Sequence, residues 1–158
     1  MRRSDREVTN FRELVTIMER CDVCRVAFHD EEYPYIVPLN FGLRAEGTEV
    51  TLYFHSALEG KKLRLLERDC RVAFEMDCGH RLALSEEKGM CTMGYESVMG
   101  RGTLTLLPEE EKYEALRLLV EHYRPEGFAF DKAAIPRTAV MKLNVTELTG
   151  KRRVVKNA

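Results

Sequence analysis

The segment from Phe54 to Lys62 carries residue types that suit the binding of an anion. A strand-like stretch ends there, a short loop follows, and a helical pattern begins. A helix N-terminus presents free backbone N–H groups and the positive end of the helix dipole. Ser56 adds a hydroxyl donor, and Lys61 and Lys62 add two positive charges. Lysines in a first turn oppose the dipole by roughly 0.3–1 kcal/mol each, and a bound phosphate would reverse that sign. The pattern indicates a phosphate site, although a solvated turn with a capping serine accounts for the same residues.

Two other segments could meet a flat ligand with polar edges. In Val37–Asn40, Pro38 stands inside a strand-like run. Since proline cannot donate to a ladder, this strand lies at an edge or is interrupted. Either an ordinary edge strand or a ligand-facing strand fits. In Tyr95–Gly102, small and polar residues surround Gly100 and Gly102, which is typical of a bulge or a barrel corner and could also mark a ligand contact.

The elements that must position these segments are mostly short strands. Hydrophobic periodicity and capping residues predict three helices and six strands or strand pieces. In chain order they are a helix from the N-cap Asn10 to Arg20, strands Val23–His29, Tyr35–Leu43 and Val50–His55 as an antiparallel meander, a short helix Gly60–Arg68, a strand Arg71–Met76, an irregular segment Asp77–Gly94, a strand Tyr95–Leu107, a helix Pro108–Tyr123 and a strand Thr138–Leu148.

The order of these elements favours a mainly antiparallel fold. No run of alternating strands and helices occurs, so a doubly wound parallel sheet is excluded. An antiparallel barrel with a few peripheral helices fits, as one domain over residues 1–158. In the helix from Pro108, which should occupy the favoured first position, one face is expected to be buried. Its members are Tyr113, Leu116, Leu119, Val120 and Tyr123.

Composition narrows the classes of function. The formal net charge is −1, which argues against a general binder of nucleic acid or of membrane surfaces. No apolar stretch resembles a signal peptide or a membrane span, and five cysteines, an odd number, fit a reducing compartment. We therefore expect a cytoplasmic protein. The basic residues Lys151–Arg153 and Lys156 predict a solvated terminus.

Taken together, these segments resemble the pyridoxamine 5′-phosphate oxidase-like split-barrel flavoproteins, and most of all the nitroimidazole-resistance branch. The resemblance is carried by the stretches PYIVPLNFG, YFHSALEGKKLRLLERDCRVAFEM, YESVMGRG and the closing LTGK, and it spans about Phe11 to Lys151. The true oxidases share a C-terminal substrate-binding segment that contains tryptophan. This chain has no tryptophan, so the oxidation of vitamin B6 is not expected.

The resemblance implies a homodimer with two flavin mononucleotide (FMN) sites at the subunit interface. It implies that Val37, Pro38, Leu39 and Asn40 line the isoalloxazine ring, that His55 and Ser56 lie by the ribityl phosphate, that Lys61 and Lys62 hold the phosphate, and that Ser97 and Val98 contact the flavin, in the same or the other subunit.

The function that follows from the resemblance is that of an FMN-dependent oxidoreductase, similar to nitroreductases. Electrons would pass from NADH or NADPH through the flavin to a small acceptor such as a 5-nitroimidazole. His55 is the candidate for handling protons, but the favoured interpretation is that it only hydrogen-bonds the phosphate. The alternative is a non-catalytic module of the same fold that binds flavin or haem. Neither nucleic acid nor a membrane is expected as a partner.

Cysteines and histidines allow two further kinds of site. A zinc site would draw on Cys21, Cys24, Cys78, His80 and Cys91, but structural zinc usually needs two close pairs, so buried free thiols are the default prediction. Haem could be ligated by His29, His55, His80 or His122, none of which lies in an attachment motif. The segment Cys78–Cys91 precedes a proposed flavin-contacting strand, so we also expect it to act as a lid.

Overall fold

The computed structural model describes residues 3–87 and 89–155, and within these ranges the chain forms eight strands, three α-helices and two short 3-10 turns. In chain order the strands and helices are β1 Glu7–Val8, α1 Phe11–Arg20, β2 Cys24–Phe28, β3 Tyr35–Leu39, β4 Gly42–Glu46, β5 Glu49–Ser56, α2 Lys61–Arg68, β6 Arg71–Ser85, β7 Met90–Leu106, α3 Glu109–Tyr123 and β8 Ala139–Arg153; the 3-10 turns span Ser4–Arg6 and Lys132–Arg137.

The first helix begins and ends at the predicted residues. Asn10 caps it, since its side-chain oxygen accepts a hydrogen bond from the backbone N–H of Glu13 at 3.2 Å. One face of α1 is buried, and it consists of Leu14, Val15, Ile17 and Met18. The helix ends at Arg20 because Cys21 adopts an extended backbone. Local capping and a clear apolar stripe therefore determine this element.

The strands form one antiparallel sheet in the order β3-β2-β6-β7-β8-β5-β4, with β1 added beside β8. The predicted continuous strand Tyr35–Leu43 is wrong, because the chain breaks at Asn40 and Phe41 into β3 and β4. The predicted three-strand meander is wrong for the same reason: β3 pairs with β2 and β4 pairs with β5, at opposite ends of the sheet. Since only two residues join those ends, the sheet must curl until they meet. The fold is the predicted split barrel, which the β3–β4 gap leaves unclosed.

The gap is held together by the end of α3. The hydroxyl of Tyr123 accepts a hydrogen bond from the backbone N–H of Phe41 at 3.1 Å and donates one to the carbonyl of Asp22 at 2.8 Å. The Phe41 ring is fully buried, 4.2 Å between centroids from the imidazole of His122. Pro38, as predicted, lies in an edge strand, where its missing N–H is tolerated.

The hydrophobic core lies inside the curl of the sheet. Along β2 the alternation of buried Cys24, Val26 and Phe28 with more exposed neighbours directs one side of the strand inward. The helices α1 and α2 close the core, the latter through Leu63, Leu65 and Leu66. We call the opposite, solvent side of β2, β3, β6 and β7 the outer face. Its side chains include Arg25, Ala27, Ile36, Pro38, Ala73, Glu75, Met99 and Arg101.

The longest hairpin, β6–β7, overturns one prediction. The segment Asp77–Gly94, which we expected to be irregular, belongs almost entirely to its two strands. The register shifts between Cys78 and Arg81, where Gly79 has φ +66, a conformation that glycine adopts without strain. The bulge predicted near Gly102 is confirmed by a second shift, after Arg101 in the pairing of β7 with β8.

Helix α3 packs on the outside of β4 and β5 rather than into the main core. Pro108 is its N-cap rather than its first helical residue. The predicted buried stripe is wrong in part, because Tyr113 and Tyr123 are exposed and the buried positions are Lys112 and Ala115. The approach to β4 is close: a Cβ on Gly42 would lie 2.6 Å from the backbone nitrogen of Leu119.

The C-terminal strand extends further than its pattern predicts. β8 continues through Lys151–Arg153, which we expected to be a solvated terminus, and pairs there with Tyr95–Ser97 of β7. Arg152 forms ion pairs with Glu96 and Glu13, so basic residues in this stretch tie the strand to α1. Lys156 lies outside the described residues.

Candidate functional site

The start of α2 is a helix N-terminus without a side-chain cap. Gly60 is the N-cap, with φ +145, and its carbonyl accepts from Leu63 and Arg64. The first turn contains no acidic residue. Within the described ranges, the backbone N–H groups of Lys61 and Lys62 have no recorded acceptor. The donors of this turn are thus available to an anion from outside.

The two lysines differ in their surroundings. The Nζ atom of Lys61 lies 2.6 Å from a carboxylate oxygen of Asp30 and 4.9 Å from the ring centroid of Tyr35. The hydrogen bond from Lys61 is the main cause that lowers the pKa of Asp30. Lys62 is half-buried and forms no ion pair with any described residue. Asp30 therefore neutralises part of the positive charge of Lys61, whereas the charge of Lys62 stays available to a phosphate.

His55 and Ser56 end β5, beside Val140 and Ala139 of β8. The His55 side chain is exposed to solvent on one side, and the protein atoms crowded around the rest of it, followed by the positive charge of Lys62, lower its pKa. His55 and Lys62 therefore lie close enough to interact, and the imidazole is neutral at neutral pH. The Ser56 hydroxyl donates to the carbonyl of Ala57 at 2.9 Å, so it must rotate before it can donate to a ligand.

The predicted ring-lining segment runs along the edge of the sheet. Val37 and Leu39 pack against the core, and Pro38 is exposed on the outer face. Asn40 donates from its amide to the carbonyl of Asp22 at 3.3 Å. One side of β3 has no neighbouring strand in the described chain, so its backbone groups are open to a ligand. The contact between Lys61 and Tyr35 places the start of β3 beside the start of α2.

Ser97 and Val98 lie on a different part of the sheet. Val98 is fully buried and pairs in register with Met76 and with Gly150. Its side chain faces the core, so it is not available to a ligand on the surface of the same chain. Ser97 is half-buried and points to the other side of the strand. The structure thus brings the start of α2 beside His55 and beside the first residue of β3, Tyr35, and leaves Ser97 and Val98 on another part of the sheet.

A cavity of about 770 Å³ opens on the outer face. None of the ten predicted residues lines it. Its walls include the loop 30–34 between β2 and β3, the small side chains Ala27 and Ala73, and the guanidinium groups of Arg71 and Arg101. The same loop, with Tyr35 and Lys61, lines a smaller cavity of about 430 Å³. Sequence reasoning missed the outer-face cavity, although strand alternation already puts Ala73 and Arg101 on one side of the sheet.

Two of the cysteines are buried, and two of the remaining histidines contact protein oxygen atoms. Cys21 and Cys24 are buried, and burial raises the pKa of both thiols. Among residues 3–87 and 89–155, no three His, Cys, Asp or Glu side chains lie where they could share a metal ion. His122 hydrogen-bonds the carbonyl of Cys21 at 2.8 Å, and His80 lies 2.6 Å from a carboxylate oxygen of Asp77.

The fold and this site define a class: an antiparallel split barrel with an uncapped helix N-terminus beside its edge strand. Residues 11–152 match the family described as pyridoxamine 5′-phosphate oxidase, and the chain belongs to that family. It belongs to the nitroimidazole-resistance branch, as the similarity to a protein from Bacteroides thetaiotaomicron VPI-5482 shows. That protein, provisionally described as a 5-nitroimidazole antibiotic resistance protein, is 32% identical over 92% of this chain and 86% of its own, with a TM-score of 0.80.

More distant solved structures share the fold. An FAD and heme binding protein from Mycobacterium smegmatis is 17% identical, with a TM-score of 0.79 over 97% of this chain and 77% of its own. An FAD binding protein from Mycobacterium smegmatis is 20% identical, with a TM-score of 0.59 over 95% of this chain and 99% of its own. No curated protein matches the chain in sequence. In the described residues, none of the helices has the length and apolarity to cross a membrane.

Proposed function

We propose that this protein binds FMN and uses it to transfer electrons from a reduced nicotinamide to a small acceptor such as a nitroaromatic compound. One observation carries the proposal: α2 begins with uncapped N–H donors and with Lys62, a half-buried cation that has no carboxylate partner in the described chain. A terminal phosphate monoester supplies the missing negative charge and the missing acceptors. Similarity to a nitroimidazole-resistance relative supports the choice of acceptor.

The residues of this chain fit the two ends of such a cofactor. Lys62, the first turn of α2 and Ser56 would hold the phosphate, and the open side of β3 would offer backbone groups to the ring. Neutral His55 beside Lys62 can donate one hydrogen bond to a phosphate oxygen. A bound flavin would supply the redox chemistry, since it accepts a hydride and passes on electrons. The protein's own part is to bind, orient and shield it.

Haem is the less favoured cofactor, because two of its candidate ligands already contact protein groups. FAD and haem are bound by more distant relatives, as their descriptions state. In this chain His80 and His122 already contact protein oxygen atoms, which argues against either as an iron ligand. A non-catalytic flavin-binding module remains the second candidate, because no described group besides His55 stands ready to move a proton beside the proposed flavin.

We also propose that the protein is a homodimer with two shared flavin sites, in the cytoplasm. The large cavity and the exposed side chains of β3, Ile36 and Pro38, lie on the same outer face of the sheet, which a second copy could cover. All five cysteines are free, as expected in a reducing compartment.

The first experiment is to add FMN, FAD or hemin to separate samples of purified protein, desalt each, and record the visible spectrum. Retention of the paired near-ultraviolet and blue bands of FMN supports the proposal, and retention of haem alone contradicts it. The reaction is tested in the absence of air. NADH or NADPH should bleach the absorbance of the bound flavin, and a 5-nitroimidazole added afterwards should restore it. A flavin that stays oxidised with both donors would favour the non-catalytic module.

A further inference from the structure

Two thiols meet at the C-terminal end of α1. The Sγ atom of Cys21, the residue that follows the helix, donates to the carbonyl of Ile17 at 3.2 Å. The Sγ atom of Cys78, which belongs to β6, donates to the same carbonyl oxygen at 3.9 Å. The Cys78 thiol is also the second cause, after burial, that raises the pKa of Cys21. The two thiols are therefore neighbours in the folded chain, although they lie far apart in the sequence.

The register of the sheet explains why these two residues meet. β2 and β6 are antiparallel, and Arg25 pairs with Glu75. The chain that leads back from Arg25 to Cys21 therefore runs alongside the chain that leads forward from Glu75 to Cys78. Cys78 is also the last residue before the register of β6 shifts. Because a bulge interrupts the ladder locally, the backbone at Cys78 can turn slightly with little loss of strand pairing.

Cys24 is not the partner of Cys21, although the two form a C-x-x-C pattern. Cys24 is fully buried at the start of β2, and its pKa is raised by burial and then by the charge of Glu75, with no contribution from another thiol. In residues 3–87 and 89–155, no third side chain joins two others in an arrangement that could hold a metal ion. Two adjacent thiols without further ligands suit a disulfide better than a metal site.

We propose that Cys21 and Cys78 form a peroxide-responsive thiol pair, which a hydroperoxide such as hydrogen peroxide oxidises to an intramolecular disulfide. Cys78 is partly exposed and Cys21 is only 2% exposed, so Cys78 is the thiol that meets the oxidant. Cys21 then acts as the resolving thiol. Neither sulfur belongs to the proposed flavin site, so the pair is independent of the cofactor.

The oxidation takes place in two steps. The Cys78 thiolate attacks one oxygen of the peroxide, the O–O bond breaks, and the hydroxide that leaves becomes water with the proton that the Cys78 thiol has released. Cys78 is then a sulfenic acid. The sulfur of Cys21 attacks the sulfur of Cys78, the S–OH bond breaks, and the second hydroxide becomes water with the proton of Cys21. The peroxide has accepted two electrons, and one disulfide and two molecules of water have formed.

The disulfide would lie at the junction that holds the barrel gap. The carbonyl of Cys21 forms a hydrogen bond with His122 at 2.8 Å. The carbonyl of the next residue, Asp22, accepts hydrogen bonds from Tyr123 and Asn40. A covalent bond from Cys21 to β6 would therefore tie the end of α1 and this junction to the sheet, and a dithiol reductant would release them.

Peptide mapping of the wild type tests the pair. The reduced protein is treated with one equivalent of hydrogen peroxide, its remaining thiols are alkylated in denaturant, and a tryptic digest is analysed by mass spectrometry without reductant. We expect the peptide Cys21–Arg25 joined to the peptide Val72–Arg81, and separated again by dithiothreitol. Fragment ions distinguish Cys21 from Cys24. A disulfide between Cys21 and Cys24, or oxidised Cys78 without a cross-link, would overturn the proposal.

Matched variants confirm which thiols form the bond. Cys21→Ser keeps a donor for the Ile17 carbonyl and should abolish the cross-link, whereas Cys24→Ala should retain it. With dimedone present, Cys78 should collect at least about tenfold more label in Cys21→Ser than in the wild type, because the sulfenic acid has lost its resolving thiol. The exposed Cys70 is the internal standard for labelling. Equal labelling of Cys78 in both proteins would contradict the role assigned to Cys21.

Discussion

Replacing Lys62 by glutamine should weaken FMN binding without weakening the fold. The Lys62 side chain is half-buried and pairs with no described carboxylate, so its full charge is available to a phosphate. A charge-assisted hydrogen bond contributes about 1.5–3 kcal/mol, which corresponds to roughly a ten- to hundredfold increase in the dissociation constant. Lys61→Gln should cost less, because Lys61 already shares its charge with Asp30 at 2.6 Å.

The stability of the unliganded protein should respond in the opposite direction. A cation in the first turn of α2 opposes the helix dipole, so Lys62→Gln should leave the free energy of unfolding unchanged or raise it by about 0.3–1 kcal/mol. The matched control is Arg68→Gln, which removes the same charge from the last turn, where it favours the dipole. That variant should lose a little stability and bind FMN normally.

The assay is titration of the protein with FMN and with riboflavin, which lacks the phosphate, followed by flavin fluorescence. Urea unfolding of each unliganded variant accompanies it. Lys62→Gln should lose affinity for FMN and retain that for riboflavin. Equal losses for both ligands, or wild-type affinity for FMN, would show that the phosphate does not lie at the start of α2.

Three further predictions concern the surroundings of this site. Tyr123→Phe leaves the buried backbone N–H of Phe41 without its acceptor and should lower the free energy of unfolding in urea by about 1–3 kcal/mol. An unchanged free energy of unfolding would mean that other contacts hold the gap between β3 and β4. Gly42→Ala should cost about 1–3 kcal/mol or more, since the added methyl meets the backbone of α3, whereas substituting a serine for the exposed Thr48 should cost little. His55 should titrate, by NMR, below its ordinary pKa of 6.5, and in Lys62→Gln its pKa should rise. Because the unfolded state takes up this proton first as the pH falls through 6.5, the wild type should lose stability there that His55→Gln does not lose. If the pKa of His55 is the same in Lys62→Gln as in the wild type, the charge of Lys62 does not act on His55.

Local chemistry was enough to predict several parts of the structure. Asn10 and Glu13 predict the start of α1, because the cap that they form involves only neighbouring residues. Pro38 indicates an edge strand because a missing N–H excludes a central one. The segment Phe54–Lys62 predicts the end of a strand followed by the start of a helix, and α2 begins there, at Lys61.

Features that depend on distant contacts escaped prediction. The break between β3 and β4 falls inside a strand-like run, and what fixes it is Tyr123, 82 positions after Phe41. The segment Asp77–Gly94 was wrongly predicted to be irregular because the bulge at Gly79 shifts the alternation of side chains along β6. The ion pair of Lys61 with Asp30 likewise joins residues whose proximity only the folded chain creates.

The position of β8 in the sheet has a consequence for how this chain is made. The last strand lies between β7 and β5, so until it is in place the sheet exists as two unconnected pieces, β3-β2-β6-β7 and β5-β4. A nascent chain cannot complete its fold before residue 153 has left the ribosome, and a product that stops before Ala139 leaves two open strand edges. The sheet therefore cannot be completed before β8 has emerged, and products that stop before β8 should aggregate rather than retain part of the native structure.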